Sequence, residues 1–339
     1  MKVAIVKLSA LGDVVHALPL ARAIRRAHPL AQITWIVERR ESAVLRGHPD
    51  LDRVIPVDTR RWRRLLRYPE GAREVWGKVS GLRRRVRMAD LDVAIDCQGL
   101  LKSGLLTAFT GARMRIGFRR AYCRERLNVL FTNRRVRPPD AAVHVVDQNL
   151  ALLAPLGIAP APAKFVVPAR PEADRRMEQA LAAAGLPAGE RVVALNPGAG
   201  RKDKQWPVEF FRSLTERLIA QADARVLLLW GPDELPLAQR IATGLSAQVV
   251  VAPPTDLDEL TAVLRRVSLI VAGDTGPLHL AAALGTPALG LYGPTRAERN
   301  GPYGAEHRAL QSPDGTMGGL TPEEVLEAAQ AMLARRAPR

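Results

Sequence analysis

The chain has 339 residues, of which 47% are hydrophobic and 4% aromatic, and a formal charge of +16. That length supports two domains, each able to bury its own core. Two cysteines, Cys97 and Cys123, are too few for a disulfide framework or a cysteine metal cluster, and no apolar run is long enough to span a bilayer. The expectation is a cytoplasmic chain without a signal peptide. The charge is unevenly placed. Residues 1–150 hold 30 Lys and Arg against 14 Asp and Glu, whereas residues 151–339 hold 20 against 20. The first half is therefore expected to face something strongly anionic: a nucleic acid, a membrane surface or a phosphorylated substrate. Few aromatics and the absence of any zinc-finger, RNA-recognition or helix-turn-helix pattern argue against nucleic acid.

In chain order, the pattern predicts a strand over Lys2–Leu8, a helix over Val14–Ala27, and strands over Gln32–Glu38 and Val54–Val57. A basic helical stretch over Arg60–Arg87 is broken near Pro69 and Gly71. A strand over Leu91–Asp96, a helix from Leu101 to Thr110 and a helical pattern over Val143–Leu156 follow. Pro155–Pro171, rich in Pro and Ala, reads as a linker. Beyond it, strands are expected at Val192–Leu195, Arg225–Trp230, Gln248–Val251, Leu269–Ala272 and Ala288–Tyr292. Helices are expected at Val208–Gln221, Leu235–Leu245, Leu257–Arg266 and Pro277–Leu284, with a last one starting at Thr321-Pro322-Glu323-Glu324. Short apolar strands alternating with amphipathic helices predict two doubly wound α/β domains. Ligands would then lie at the carboxyl ends of the strands, in a cleft between the domains.

Four segments at such strand ends carry chemistry. Gly273-Asp274-Thr275-Gly276-Pro277, with His279 in the following helical turn, aims backbone N–H groups and a helix N-terminus at one point, as a diphosphate cradle does. Asp274 or Thr275 could equally act as a plain helix cap. Asn196-Pro197-Gly198-Ala199-Gly200 followed by Lys204 leaves backbone open to phosphate oxygens and adds a point charge, but lacks the spacing of a P-loop. Trp230-Gly231-Pro232-Asp233-Glu234 offers a carboxylate to ribose hydroxyls. Lys7–Asp13 joins the first strand to the first helix, with Asp13 as either a cap or a base. Two Asp-x-Asp pairs, Asp90–Asp92 and Asp256–Asp258, sit at turn and capping positions and read as structural. Lys204 and the helix end at Gly276 can carry diphosphate charge, so no obligatory metal and no cofactor are expected.

Together these segments resemble the bacterial lipopolysaccharide heptosyltransferases, glycosyltransferase family 9. The matching pieces are KLSALGDVVHALP (Lys7–Pro19), RVIPVDTRRWRR (Arg53–Arg64), AIDCQGLLKS (Ala94–Ser103), KDKQWP (Lys202–Pro207), LWGP (Leu229–Pro232), GDTGPLHLAAAL (Gly273–Leu284) and YGPT (Tyr292–Thr295). They span nearly the whole chain in the family's order.

The resemblance implies a GT-B fold of two Rossmann-like domains: an acceptor domain over residues 1–160 and a donor domain over 171–320. A C-terminal helix over 321–336 would pack back on the first. It implies inverting transfer of L-glycero-D-manno-heptose from ADP-heptose to the inner Kdo of Kdo2-lipid A, at the cytoplasmic face of the inner membrane with peripheral attachment. The alternative is addition of the second core heptose. Carried over residue by residue, Asp13 resembles the general base. Ala199, Gly200, Lys204, Glu234, Asp274, Thr275, Gly276 and His279 resemble the donor site. Arg60, Arg61, Arg63, Arg64, Lys102 and Arg124 resemble the acceptor clamp. Trp62, within the arginine run, is expected to anchor its loop or to touch the acceptor.

Overall fold

The computed structural model describes residues 1–335 apart from Leu66, Pro69, Met88 and Ala188. The expected break at Pro69 and the last residue of the expected C-terminal helix, Arg336, lie outside the described residues. The chain divides into two compact units, Met1–Pro168 and Ala169–Arg339.

The first unit contains strands β1 (Lys2–Val6), β2 (Gln32–Glu38), β3 (Arg53–Val57), β4 (Val93–Asp96), β5 (Met114–Phe118) and β6 (Arg134–Val136). Its helices are α1 (Leu11–Val15), α2 (Leu18–Ala27), α3 (Thr59–Leu65), α4 (Gly71–Arg87), α5 (Leu101–Phe109) and α6 (Val145–Ala151). All strands run parallel, in the order β3-β2-β1-β4-β5-β6. The central strands are buried on both faces, which is why β1 and β4 read as unbroken apolar runs.

Two expectations are corrected here. The single helix over Val14–Ala27 is two helices, because Pro19 has no N–H to give to a continuing helix and instead occupies the first turn of a new one. Strands β5 and β6 were not expected. Arginines interrupt both, and β6 is an edge strand of three residues.

The second unit contains β7 (Val192–Asn196), β8 (Arg225–Leu228), β9 (Val249–Val251), β10 (Leu269–Gly273), β11 (Ala288–Tyr292) and β12 (Arg308–Gln311). Its helices are α7 (Pro171–Ala183), α8 (Val208–Ala222), α9 (Leu235–Ala242), α10 (Leu257–Arg266), α11 (Gly276–Ala283), α12 (Ala297–Asn300) and α13 (Pro322–Ala334). The sheet is again fully parallel, ordered β12-β11-β10-β7-β8-β9. Read from its other edge, this is the same winding as the first sheet. In each, the order reverses between the first and fourth strands: β1/β4 in the first unit and β7/β10 in the second. Such a reversal sends the two following loops in opposite directions and leaves a crevice at the strand ends.

Thr321 caps α13 and accepts a hydrogen bond from the Glu324 N–H. Val325, Leu326, Ala328, Ala329, Met332 and Leu333 join the core of the second unit beside Trp206 and Phe211. The helix spends its apolar face on the core of its own unit. The Asp-x-Asp pairs serve as turns and caps: Asp92 accepts from the Lys2 N–H, and Asp256 forms a reciprocal capping box with Glu259.

Candidate active site

In the first unit, the loops after β1 and β4 are tied together at the switch point. Lys7 is buried and donates from Nζ to the Cys97 carbonyl at 2.8 Å. Gln98 accepts from the Leu8 and Ser9 N–H groups and donates to the Ser9 carbonyl at 2.6 Å. Buried Asp96 accepts from the Gln98 and Gly99 N–H groups, Ser103 Oγ and Asn128 Nδ2. Burial raises the Asp96 carboxyl above the ordinary range, against those four donors.

Asp13 stands on this framework as the third residue of α1. The helix is capped by Ala10, whose N–H reaches the Asp13 carboxylate at 3.3 Å. Asp13 is therefore not the cap. Its carboxylate lies between two cations, Lys7 Nζ at 3.8 Å and Arg124 Nη1 at 3.6 Å. Lys102 pairs with Glu38 at 3.6 Å, and Glu38 also accepts from the backbone N–H of Thr59, the first residue of α3. Glu38 thus links Lys102 to the start of the arginine helix. Arg60 lies 4.0 Å from buried Glu41, and Arg61 pairs with Glu74 of α4. Arg63 and Arg64 are exposed on α3, whereas Trp62 packs against the core of the unit. That packing is what the anchoring role expects of Trp62.

In the second unit, the loops after β7 and β10 meet in the same way. Asn196 Nδ2 donates to the Gly198 carbonyl and reaches Thr275 Oγ1 at 3.4 Å. Lys204 Nζ donates to Asp274 Oδ2 at 2.7 Å, and His279 Nε2 bonds Asp274 Oδ1 at 2.9 Å. Neither the Asp274 nor the Thr275 side chain caps α11. Thr275 occupies the cap position of α11 without a side-chain cap bond, and both Asp274 oxygens go to Lys204 and His279. Burial alone would raise the Asp274 carboxyl. The hydrogen bonds and charges of His279 and Lys204 outweigh it and hold the group well below the usual carboxylate range. A Cβ on Gly273 would meet the Lys204 carbonyl at 2.8 Å, so glycine lets the two loops close.

Glu234 folds back from the start of α9 and accepts from the Gly231 N–H at 2.8 Å, while Asp233 is exposed at φ +67°. The Glu234 carboxylate lies over Gly198, where a Cβ would clash with it. Ala199 and Gly200 continue that loop, and the Ala199 carbonyl accepts from Gln205 at 3.4 Å. Trp206 fixes the end of the loop by donating from its indole N–H to the Leu320 carbonyl at 2.9 Å.

A family model for glycosyltransferase family 9 (heptosyltransferase) matches residues 79–327. The chain belongs to this family. Lipopolysaccharide heptosyltransferase 1 of Pseudomonas aeruginosa is 36% identical over 318 residues, covering 92% of this chain and 84% of that protein. Its Escherichia coli K12 counterpart is 33% identical, covering 96% and 98%. The E. coli heptosyltransferase WaaC, solved with ADP, superposes with a TM-score of 0.80 at 31% identity, covering 98% of this chain and all of that one. The same enzyme has been solved with ADP-2-deoxy-2-fluoro heptose. The two units of this family 9 glycosyltransferase are the paired Rossmann-like domains of the GT-B class.

The organising roles of Gln98, Asp96, Asn196 and Trp206 are not legible in the sequence, although Asn196 opens one of the strand-end segments. Asp96, Gln98 and Asn196 lie at or just beyond a strand end, which is the available signal, but Gln98 and Trp206 find partners far away in the chain: 89 residues for Gln98 to Ser9 and 114 for Trp206 to Leu320.

Two results are expected from this geometry. Gly198→Ala pushes the flexible end of Glu234 aside, so the ADP-heptose KM rises several-fold with little change in Tm. An unchanged KM removes Glu234 from the donor site. Asp274, depressed in the folded state, supplies stability that is fully present above its unfolded pKa of about 4 and is lost as pH falls through the lower folded value. Urea titrations of wild type and Asp274→Asn are therefore separated most above pH ~5 and converge in acid. Parallel curves at every pH would contradict the pairing.

Proposed function

We propose that this family 9 glycosyltransferase moves L-glycero-D-manno-heptose from ADP-heptose to the inner Kdo of Kdo2-lipid A, with inversion and at the cytoplasmic face of the inner membrane. The observation that carries the reading is the Lys204–Asp274–His279 set at the second unit's switch point. Asp274 holds the lysine by one of its three N–H donors and leaves the others for phosphate oxygens. Backbone N–H groups at Thr275 and Gly276, together with Ala199 and Gly200, complete the diphosphate cradle, and Glu234 takes the adenosine ribose. On the first unit, Arg60, Arg61, Arg63, Arg64, Lys102 and Arg124 bind the acceptor's carboxylates and phosphates, for which the guanidinium fork is suited.

In the chemical step the acceptor hydroxyl oxygen attacks the anomeric carbon as Asp13 takes its proton. The bond from that carbon to the ADP oxygen breaks. The electrons leave with the diphosphate, whose growing charge Lys204 stabilises. No metal is required for that charge balance, so activity survives EDTA. Its abolition by chelation and recovery with Mg²⁺ would contradict this part.

The test is ADP release from ADP-heptose with Kdo2-lipid A, with heptosyl-Kdo2-lipid A, and with no acceptor. Release that depends on Kdo2-lipid A supports the reading. Use of heptosyl-Kdo2-lipid A alone would instead assign the second transfer, which the naming of the relatives favours less.

A further inference from the structure

Beside Asp13, the first unit carries an apolar surface that the reaction does not use. The two-turn 3₁₀ segment Arg126–Phe131 is locked onto α5: Asn128 Nδ2 donates to the Leu100 carbonyl at 2.8 Å and to Asp96 at 2.7 Å. A Cβ on Gly104 would meet the Phe131 ring at 2.5 Å, so the two elements close only because that residue is glycine. With their inner faces joined, both present leucines outward. Leu101 and Leu105 of α5 are 41% and 44% exposed, and Leu127 and Leu130 of the segment are 56% and 70% exposed. Spacings of four on an α-helix and three on a 3₁₀ turn put each pair on one side of its element. Four exposed leucines on two touching elements are not ordinary surface scatter.

We propose that this leucine surface docks the protein on an anionic lipid bilayer. Exposed Arg119, Arg120, Arg124 and Arg126 flank the segment. Leucines within an arginine rim suit the boundary between acyl chains and acidic headgroups. A second copy of this chain is a poorer occupant, because a two-fold contact would press one arginine rim against the other. Arg124 ties the surface to the chemistry, since it also contacts the Asp13 carboxylate. Docking here would bring the headgroup of a membrane-embedded acceptor beside the base. The inference rests on the acceptor assigned above and adds the surface by which it is reached.

The full chain is floated with phosphatidylethanolamine vesicles with and without phosphatidylglycerol, as wild type and as Leu127→Asp/Leu130→Asp. Wild type should bind the anionic vesicles, less so at high salt. The variant should partition about tenfold more weakly or worse, with unchanged turnover of an acceptor stripped of its acyl chains. If the aspartates lower Tm, Leu127→Ser/Leu130→Ser gives the same readout with less disturbance. Equal vesicle binding by wild type and variants overturns the proposal. So does a wild-type dimer that the variants dissolve while vesicles bind neither. Leucine-dependent vesicle binding without ADP release to any acceptor would keep the surface and refute the heptosyl acceptor instead.

Discussion

Asp13→Ala lowers acceptor-dependent ADP release by about 10²–10⁴-fold, the usual contribution of a positioned general base. Affinity for ADP-heptose stays at the wild-type level, because the donor residues are carried by the other unit. Lys7 keeps its bond to the Cys97 carbonyl but loses the carboxylate beside its buried ammonium, and Ala10 loses one hydrogen bond, so the stability cost is about 1–3 kcal/mol. Asp13→Asn separates shape from basicity: it keeps the side chain's outline and should be as slow as alanine. A substantial kcat in Asp13→Asn would remove the base assignment and leave Asp13 as an orienting group for Arg124.

Lys204→Ala acts on the donor side, and on two quantities at once. Loss of the charge at the leaving diphosphate lowers kcat/KM by about 10²–10³-fold, as for other groups placed where charge develops. The same change strips Asp274 of a 2.7 Å partner in a mostly buried position, leaving only His279. A carboxylate left there with one of its two partners costs about 1–3 kcal/mol. Lys204→Ala/Asp274→Ala removes both members and should recover stability without recovering turnover. Titration calorimetry showing wild-type ADP affinity in Lys204→Ala would exclude the lysine from the diphosphate site.

The legibility of this chain follows burial. Strands β1, β4, β7, β10 and β11 lie in the middle of parallel sheets, so both faces are apolar and the runs are unmistakable. Edge strands β6 and β12 need no such composition. Their sequences, RRV and RALQ, carry no strand signal. Helix α7 is hidden differently: its first residue, Pro171, closes a Pro- and Ala-rich run that reads as linker, although proline suits the first helical turn. For the candidate site, the turn Gly273–Pro277 and the strand-end carboxylate Asp13 are legible because each is local. The Lys204–Asp274 pair is not, since it joins residues 70 apart through a strand order that no local pattern encodes. The charge imbalance of the first half was visible from the outset, but its division among Glu38, Glu41, Glu74 and Asp13 emerged only from the fold.

The bond from Trp206 to Leu320 has a consequence for how the protein is made. It ties the end of the Lys204 loop to the residue just before α13, whose apolar face completes the same core. During synthesis the loop is translated more than a hundred residues before its anchor. The nascent second unit therefore has its glycines and lysine in place well before it has a rigid nucleotide pocket. The anchor of that loop is made last, when the segment around Leu320 is free of the ribosome and closes the ring.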